Sequence, residues 1–348
     1  MHSLETKQKC LSLCVAALGS VLLLLAAPLT AFAAESITIN AVGDIAFTGG
    51  RGQSLGKPST LLKYVAPTLK SSDITFGNLE TSLSSRGKKW TKTYNFRGPV
   101  SAGPALGKAG FDVVSLANNH TLDYGRTAFK DTLSAVKKGR VVSVGAGNNK
   151  AQAWEPKIIK RKGQTIAFLA FSEITPGGFA ATSSRSGTAY TQSISGVTKA
   201  VKAAAKKADY VIVSMHWGIE KKYDPTSRQV SEGRAIIRAG ADAVLGSHPH
   251  RIQGVEKYRG KLIAYSLGNF VFSPASSGST DTYVLNFTLK DGKVTKASAR
   301  PVTIKNGSPR FVSTTSKTGK RITNVIEKKA KARKTSTSRS KTTVTFKF

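Results

Sequence analysis

The chain has 348 residues, a length that suits one large domain or two ordinary ones, and 40% of them are apolar, enough to supply a buried core. The 53 Lys and Arg residues outnumber the 19 Asp and Glu residues, and the net charge of +34 attracts anions without specifying a fold. The two cysteines, Cys10 and Cys14, both lie in the N-terminal segment. A disulfide in the remaining chain is therefore excluded.

The N-terminus has the pattern of an export signal. Lys7 and Lys9 precede a mostly apolar run at 11–25, and residues 31–33 form an Ala-x-Ala cleavage site. We therefore expect a signal peptide over residues 1–33 and a protein that is secreted or associated with the cell envelope. The alternative is an uncleaved membrane anchor, although the apolar run is short for a span of about 20 residues.

Alternating or continuous apolar runs predict strands, and amphipathic runs predict helices. The first half is expected to hold strands at 36–42, 74–76, 111–116 and 141–144 and helices at 59–70, 101–110 and 126–138. The second half is expected to hold hairpins at 157–171 and 282–305, strands at 210–215, 242–246 and 262–266, and helices at 197–207 and 228–239. Strands that alternate with helices in this way predict an α/β fold with a central sheet.

The C-terminal segment differs in composition from the rest. Residues 317–348 contain eleven Lys or Arg and a single acid, Glu327, with Ser and Thr between them. This composition predicts a flexible basic tail over 311–348 and limits the folded domain to 34–310.

Polar side chains collect where the predicted strands end, which is where α/β sheets build their sites. The set consists of Asp44, Asn78, Glu80, Asn119, His120, His216, His248 and His250. Carboxylate, imidazole and amide groups together suit Zn, Mn or Fe. Two such ions about 3.5–4 Å apart can activate a water and hold a phosphoryl group. His120 suits a general acid, and Asp123, three residues further on, suits a group that holds its tautomer.

Each of these residues has an ordinary structural alternative. The His-Pro-His segment at 248–250 is compatible with a simple turn, and Asn118-Asn119 with a helix cap or a left-handed turn. Asp44 suits a helix cap, His216 a packed pair with Trp217, and Glu80 a surface acid. The joint placement of these residues at strand ends favours the metal site.

Seven motifs occur in order between residues 37 and 275: Val42-Gly43-Asp44, Gly77–Glu80, Phe96-Arg97, Ser115–Gly125, His216–Glu220, Gly246–Glu256 and Tyr265–Phe270. Together they resemble the bacterial capsule-synthesis protein family CapA, which is associated with poly-γ-glutamate capsule. That family is similar to the calcineurin-like metallophosphoesterases. The resemblance implies their fold, a sandwich of sheets flanked by helices with a two-metal site.

The resemblance also implies roles for individual residues. His120 would be the catalytic acid with Asp123 beside it; the metal ligands would be Asp44, Glu80, Asn119, His216, His248 and His250; and the substrate contacts would be Asn78, Arg97 and Asn118. Two positions depart from the superfamily pattern. Ala46 stands where a histidine is usual, and Asn78 stands where a bridging aspartate is usual, with Glu80 nearby. We therefore expect two divalent ions, Mn, Zn or Fe, with one of them weakly held or absent.

Two functions are compatible with the sequence. The first is an exported metal-dependent hydrolase that acts on a phosphate ester or another bond of an anionic capsule or envelope polymer. The second is a scaffold that holds poly-γ-glutamate or teichoic acid through its basic surface and tail, in contact with the membrane surface or other capsule-synthesis proteins. Nucleic acid is not expected as a partner, because aromatic residues are not interleaved with the basic tail.

Overall fold

The computed structural model describes residues 35–49, 54–273 and 278–348. The predicted signal peptide and both cysteines lie outside these residues. Among the residues described, no helix combines the length and apolar character that a membrane span requires.

The elements of the first half are β1 (Ile37–Ile45), α1 (Pro58–Leu62), α2 (Ala66–Leu69), β2 (Ile74–Leu79), β3 (Ser82–Leu83), β4 (Arg97–Gly98), α3 (Ala102–Ala109), β5 (Val113–Ser115), α4 (Gly125–Lys138), β6 (Val142–Val144), β7 (Ala146–Gly147), α5 (Lys150–Trp154), β8 (Lys157–Arg161) and β9 (Gln164–Ser172). Those of the second half are β10 (Gly187–Thr188), α6 (Ile194–Ala205), β11 (Tyr210–His216), α7 (Ser227–Arg238), β12 (Ala243–Ser247), β13 (Val255–Tyr258), β14 (Lys261–Ala264), β15 (Asn269–Val271), β16 (Asp281–Lys290), β17 (Lys293–Lys305), β18 (Ser308–Phe311), α8 (Lys317–Lys331), β19 (Thr337–Arg339) and β20 (Val344–Phe346).

Two large sheets organise these elements. The first has ten strands in the order β19-β20-β17-β16-β1-β2-β5-β6, with β15 paired to β1 and β18 to β17. Its strands β1, β2, β5 and β6 are parallel. The second has six strands in the order β13-β14-β12-β11-β9-β8, and β9, β11, β12 and β14 are parallel. The carboxyl ends of the parallel strands in each sheet therefore share one edge.

The two sheets face each other across a common apolar core. Phe76 of the first sheet stacks on Phe168 of the second with ring centroids 6.2 Å apart, and both rings are buried. Helices α3 and α4 cover the outer face of the first sheet, and α6 and α7 cover that of the second. This arrangement confirms the predicted α/β sandwich of sheets flanked by helices.

The strand β11 shows why the central strands can be predicted from the sequence. All seven of its residues are buried, because the sheet is covered on both faces. The helix predicted at 59–70 is instead two short helices, α1 and α2. Pro67 stands in the first turn of α2, a position that tolerates proline, whereas within a continuous helix it would remove a hydrogen bond.

The prediction of a flexible tail over 311–348 is wrong. Helix α8 buries Ile322, Ile326 and Ala330 in the core cluster that lies between the sheets, and β20 pairs with β17 and buries Phe346. The described residues from 35 to 348 accordingly belong to one compact unit, so the folded domain does not end at 310. Among the basic residues of this segment, apolar residues recur every four positions, at Ile322, Ile326 and Ala330. This spacing places them on one face of a helix.

Shortening a core side chain of α8 will destabilise the whole domain. We expect Ile326→Ala to lower the free energy of unfolding by about 2–5 kcal/mol, because it leaves a cavity between α8 and the sheets. Urea unfolding followed by circular dichroism measures the change. The exposed Lys328→Ala on the same helix is the matched control and should stay within about 0.5 kcal/mol of the parent. Equal stabilities for both variants would contradict a docked α8.

Candidate metal centre

The candidate site lies where the parallel strands of both sheets end. Asp44 in β1 is in register with Asn78 in β2. His216 is the last residue of β11 and is in register with Ser247 of β12. The parallel pairing thus brings residues that are far apart in sequence to one edge of the sandwich, as the sequence predicts.

Glu80 follows β2 directly and lies at the centre of the cluster. Its side chain is fully buried, and neither carboxylate oxygen has a hydrogen-bond partner among the described residues. Its Oε1 lies 3.6 Å from His216 Nε2, 3.9 Å from His250 Nε2 and 4.0 Å from His120 Nε2. Burial, with the charge of Asp44, raises the pKa of Glu80 well above its ordinary value. A buried carboxylate without partners is costly, and a cation would compensate that cost.

Glu80 belongs to two candidate ligand groups. It is grouped with His216 and His248, and also with Asp44 and His250; the ligand atoms of each group lie within 4.8 Å of one another. Imidazole and carboxylate are ligands that zinc, manganese and iron accept. The donor set would fit a divalent metal ion, and Glu80 is common to both groups.

The three histidines of these groups, His216, His248 and His250, differ in pKa. His250 Nδ1 lies 3.1 Å from Asp44 Oδ2 and 2.8 Å from Asn269 Oδ1. Although burial opposes it, the charges of Glu80 and Asp44 raise the pKa of His250 to about 10. Burial and the neighbouring histidines lower the pKa of His248 to about 3, and that of His216 falls well below its usual value.

The turn that carries two of these histidines is strained. His248 has φ 94° and His250 has φ 53°, both in the left-handed region that non-glycine residues seldom adopt. The unusual backbone aims both rings into the cluster from one short segment. Strain of this kind concentrates at functional sites, where the surrounding structure maintains it.

Asn119 lies within reach of the same cluster. Its Oδ1 is 2.8 Å from His216 Nε2, while His216 Nδ1 is 2.9 Å from Ser247 Oγ. The structure therefore brings together all six predicted ligands, Asp44, Glu80, Asn119, His216, His248 and His250.

The predicted acid His120 is held in one orientation. Its Nδ1 lies 2.6 Å from Asp123 Oδ2, and its ring stacks on Phe96 with centroids 3.8 Å apart. The Phe96 N–H also donates to Asp123 Oδ2 at 2.6 Å, which fixes the carboxylate. Burial lowers the pKa of His120, and Asp123 partly opposes the shift. With Nδ1 directed at Asp123, Nε2 is left facing the cluster.

Lys92 is a residue of the site that no sequence pattern indicates. Its ammonium lies 2.5 Å from Asp123 Oδ1, 2.6 Å from the Asn119 carbonyl oxygen, to which it donates, and 3.2 Å from His120 Nδ1. It lies in a loop, and the lysines near it in the sequence, Lys88 and Lys89, make no such contact with His120. No period or motif distinguishes it in the sequence.

Two of the three predicted substrate contacts brace the ligands instead. Asn78 Nδ2 donates to Asp44 Oδ1 at 2.9 Å, and its Oδ1 accepts from Asn118 Nδ2 at 3.1 Å. Asn118 also donates to the Leu79 carbonyl and accepts from the His120 N–H. Both amides are buried and bonded to the protein, so they hold the strand ends together.

The third predicted substrate contact, Arg97, is engaged elsewhere. Its guanidinium donates to the carbonyls of Arg86 and Gly87 and lies 3.5 Å from the ring centroid of Tyr124. Successive side chains of an extended segment point to opposite sides, so Phe96 faces His120 while Arg97 faces this loop. The structure thus gives Arg97 a loop-holding role and does not place it among the cluster residues.

A cleft gives access to the site. Its walls include Tyr94, Phe96, His120, His250 and Phe272. The catalytic candidate and one metal-ligand candidate therefore share one opening.

The chain is similar to known proteins in sequence and in fold. Residues 38–274 match the family model described as bacterial capsule synthesis protein PGA_cap. The chain belongs to this family. It is 32% identical over 288 residues to the capsule biosynthesis protein CapA of Bacillus anthracis, covering 80% of this chain and 70% of that protein. It is 34% identical to the PGA biosynthesis protein CapA of Bacillus subtilis (strain 168), covering 72% and 66%. Among solved structures, the NAD nucleotidase NadN of Haemophilus influenzae has a TM-score of 0.44 at 9% identity and covers 84% of this chain and 62% of its own.

The metal-free protein will lose stability in acid through its neutral histidines. His248 keeps a pKa of about 3 when folded against 6.5 for the free side chain, so only the unfolded state gains this proton between those values. We expect the protonation of His248 in the unfolded state to remove a few kcal/mol of stability between about pH 6.5 and pH 3, while the raised pKa of Glu80 acts in the opposite direction above pH 4.5. Urea titrations in EDTA measure this slope. His248→Asn should flatten it, and an unchanged slope would show that His248 is not held neutral.

Proposed function

We propose that this protein is an exported, divalent-metal-dependent hydrolase of capsule synthesis that cleaves a phosphate ester or another bond in an anionic envelope polymer. The observation that supports it most is the buried Glu80 carboxylate, unpartnered among the described residues and surrounded by histidines. The names of the two CapA relatives, which refer to capsule and PGA biosynthesis, support poly-γ-glutamate as the polymer concerned. The N-terminal sequence pattern supports export.

The residues that would hold the metal are Asp44, Glu80, Asn119, His216, His248 and His250. Bound divalent ions act as Lewis acids and lower the pKa of water to near neutrality. Asn78 and Asn118 keep the strand ends at a fixed separation, so the ligands need little rearrangement on binding.

His120 would donate the proton that the leaving group requires. Asp123 holds its Nδ1, so the proton is delivered from Nε2. Burial lowers the pKa of His120, which makes its protonated form a stronger acid. Lys92 balances the charge of Asp123, and Phe96 keeps the ring from rotating.

Hydrolysis and metal content can be separated by two substitutions. Protein loaded with Mn²⁺ or Zn²⁺ should cleave bis(4-nitrophenyl) phosphate. His120→Asn should lower kcat by about 10²–10⁴-fold with unchanged metal content, because it removes the proton donor and leaves the ligands in place. Glu80→Gln should lose the metal, as measured by elemental analysis.

The exposed Glu155→Gln makes the same chemical change far from the cluster and should match the parent in both measurements. Absence of turnover with every divalent metal tested would reject the hydrolase.

A specific surface favours a second function, the binding of anionic polymer. Three exposed lysines, called here the α6 lysines, lie along one side of α6: Lys199 and Lys202 within the helix and Lys206 at its C-cap. The twelve residues of α6 include no acid. Like charges at this spacing are unfavourable within a helix, and a polyanion would relieve the repulsion. The folded α8 means that the tail is not a free arm for this purpose, so the rigid basic surface would carry the binding.

Neutralising the three α6 lysines tests this second function. The triple variant Lys199→Gln, Lys202→Gln, Lys206→Gln should bind poly-γ-glutamate several-fold more weakly at low salt, with the difference shrinking as salt screens the charges. Fluorescence anisotropy of labelled polymer measures the affinity. The control triple on α4, Lys130→Gln, Lys137→Gln, Lys138→Gln, removes the same charge from another face. Equal weakening by both triples would assign binding to net charge and reject an α6 site.

A further inference from the structure

Glu220 is a carboxylate at the cleft that the proposed chemistry does not use. It follows the strand β11 by four residues, its side chain is exposed, and it lines the same cleft as His120 and His250. Its carboxylate and the ring nitrogens of His248 and His250 lie within 4.8 Å of one another. An exposed acid thus stands directly beside the buried imidazole of His248 and the partly buried imidazole of His250.

The backbone beside Glu220 is fixed although its side chain is exposed. The Lys221 N–H donates to the Pro249 carbonyl at 2.8 Å, which ties this loop to the turn between the two histidines. Gln253 Nε2 donates to the Lys222 carbonyl at 3.1 Å. Lys221 has φ 64°, a third left-handed non-glycine residue around the cluster. The carboxylate is therefore presented from an anchored loop.

The Glu220 carboxylate is not paired with a basic side chain: no ion pair links it to a Lys or Arg of the described residues. Its charge contributes to the raised pKa of Glu80, so it adds to the negative field of the cluster. His248 Nδ1 is buried and has no hydrogen-bond partner in the described part of the chain. The imidazole beside Glu220 is thus still short of a partner.

We propose that Glu220 is an outer ligand, which with His248 and His250 holds a divalent ion at the mouth of the cleft. The inference rests on the proposed metal-dependent function and adds a ligand to it. Glu220, His248 and His250 together offer three donors, the number of protein ligands that a catalytic zinc site commonly has. An ion held partly by a solvent-exposed side chain exchanges more readily than one held by buried ligands alone.

Metal binding tests this role independently of activity. Isothermal titration of EDTA-stripped, dialysed full-length protein with MnCl₂ should show that Glu220→Gln weakens the weaker binding event by at least about tenfold and leaves the tighter event unchanged. Glu155→Gln, the same change at an exposed glutamate that pairs with Lys157, should bind as the parent does. Because Glu220 is exposed, thermal unfolding in EDTA should be the same for all three proteins.

The outcomes separate this inference from the proposed function. Parent-like affinity and stoichiometry in Glu220→Gln, with binding lost in Glu80→Gln, would overturn the role of Glu220 and leave the metal centre standing. Parent-like binding in Glu80→Gln together with weakening in Glu220→Gln would support the outer site and reject the buried one. A parent protein that binds no Mn²⁺ would overturn both.

Discussion

The carboxyl group of Glu80, buried without a hydrogen bond from any described residue, is the constraint on which the site depends. A carboxylate in such a place is stable only beside positive charge or when protonated. Three histidines, His120, His216 and His250, approach one of its oxygens within 4.0 Å. Although burial opposes it, the charge of Glu80 raises the pKa of His250, whereas burial and neighbouring cations lower the pKa values of His216 and His248. Glu80 therefore governs the charge of His250, and burial governs that of His216 and His248.

The bracing asparagines explain how the fold tolerates that carboxylate. Asn78 and Glu80 are two residues apart on an extended segment, so their side chains share one face. The Glu80 N–H donates to the Ile45 carbonyl at 2.8 Å, which shows that the segment still runs beside β1. An aspartate at position 78 would add a third carboxylate next to Asp44. The amide instead donates to Asp44, and the acid lies one pleat further along the strand.

The sequence was most informative where periodicity and position act together. Buried parallel strands have continuous apolar runs, and their ends lie at one edge, so the meeting of Asp44, Glu80 and His216 was predictable. For residues 311–348, composition alone predicts a flexible tail, whereas the spacing of Ile322 and Ile326 predicts a helix with one buried face. Lys92 could not be predicted, because only the conformation of its loop brings it next to Asp123 and His120. The bracing role of Asn118 depends on which partner fills each of its hydrogen bonds, which a sequence does not record.

The proton that Glu80 and His250 share in the metal-free protein affects how a metal ion binds. Burial favours a protonated Glu80, and the charge of Glu80 favours a protonated His250, so at neutral pH the pair retains at least one proton that free side chains would not hold together. That proton supplies part of the positive charge that a metal ion would bring. A ligand imidazole must be neutral and a ligand carboxylate ionised, so an ion has to displace the proton in order to bind. A metal ion and a proton therefore compete for the same two side chains, Glu80 and His250. Because the proton already compensates part of the negative charge, we expect the ion to be weakly held.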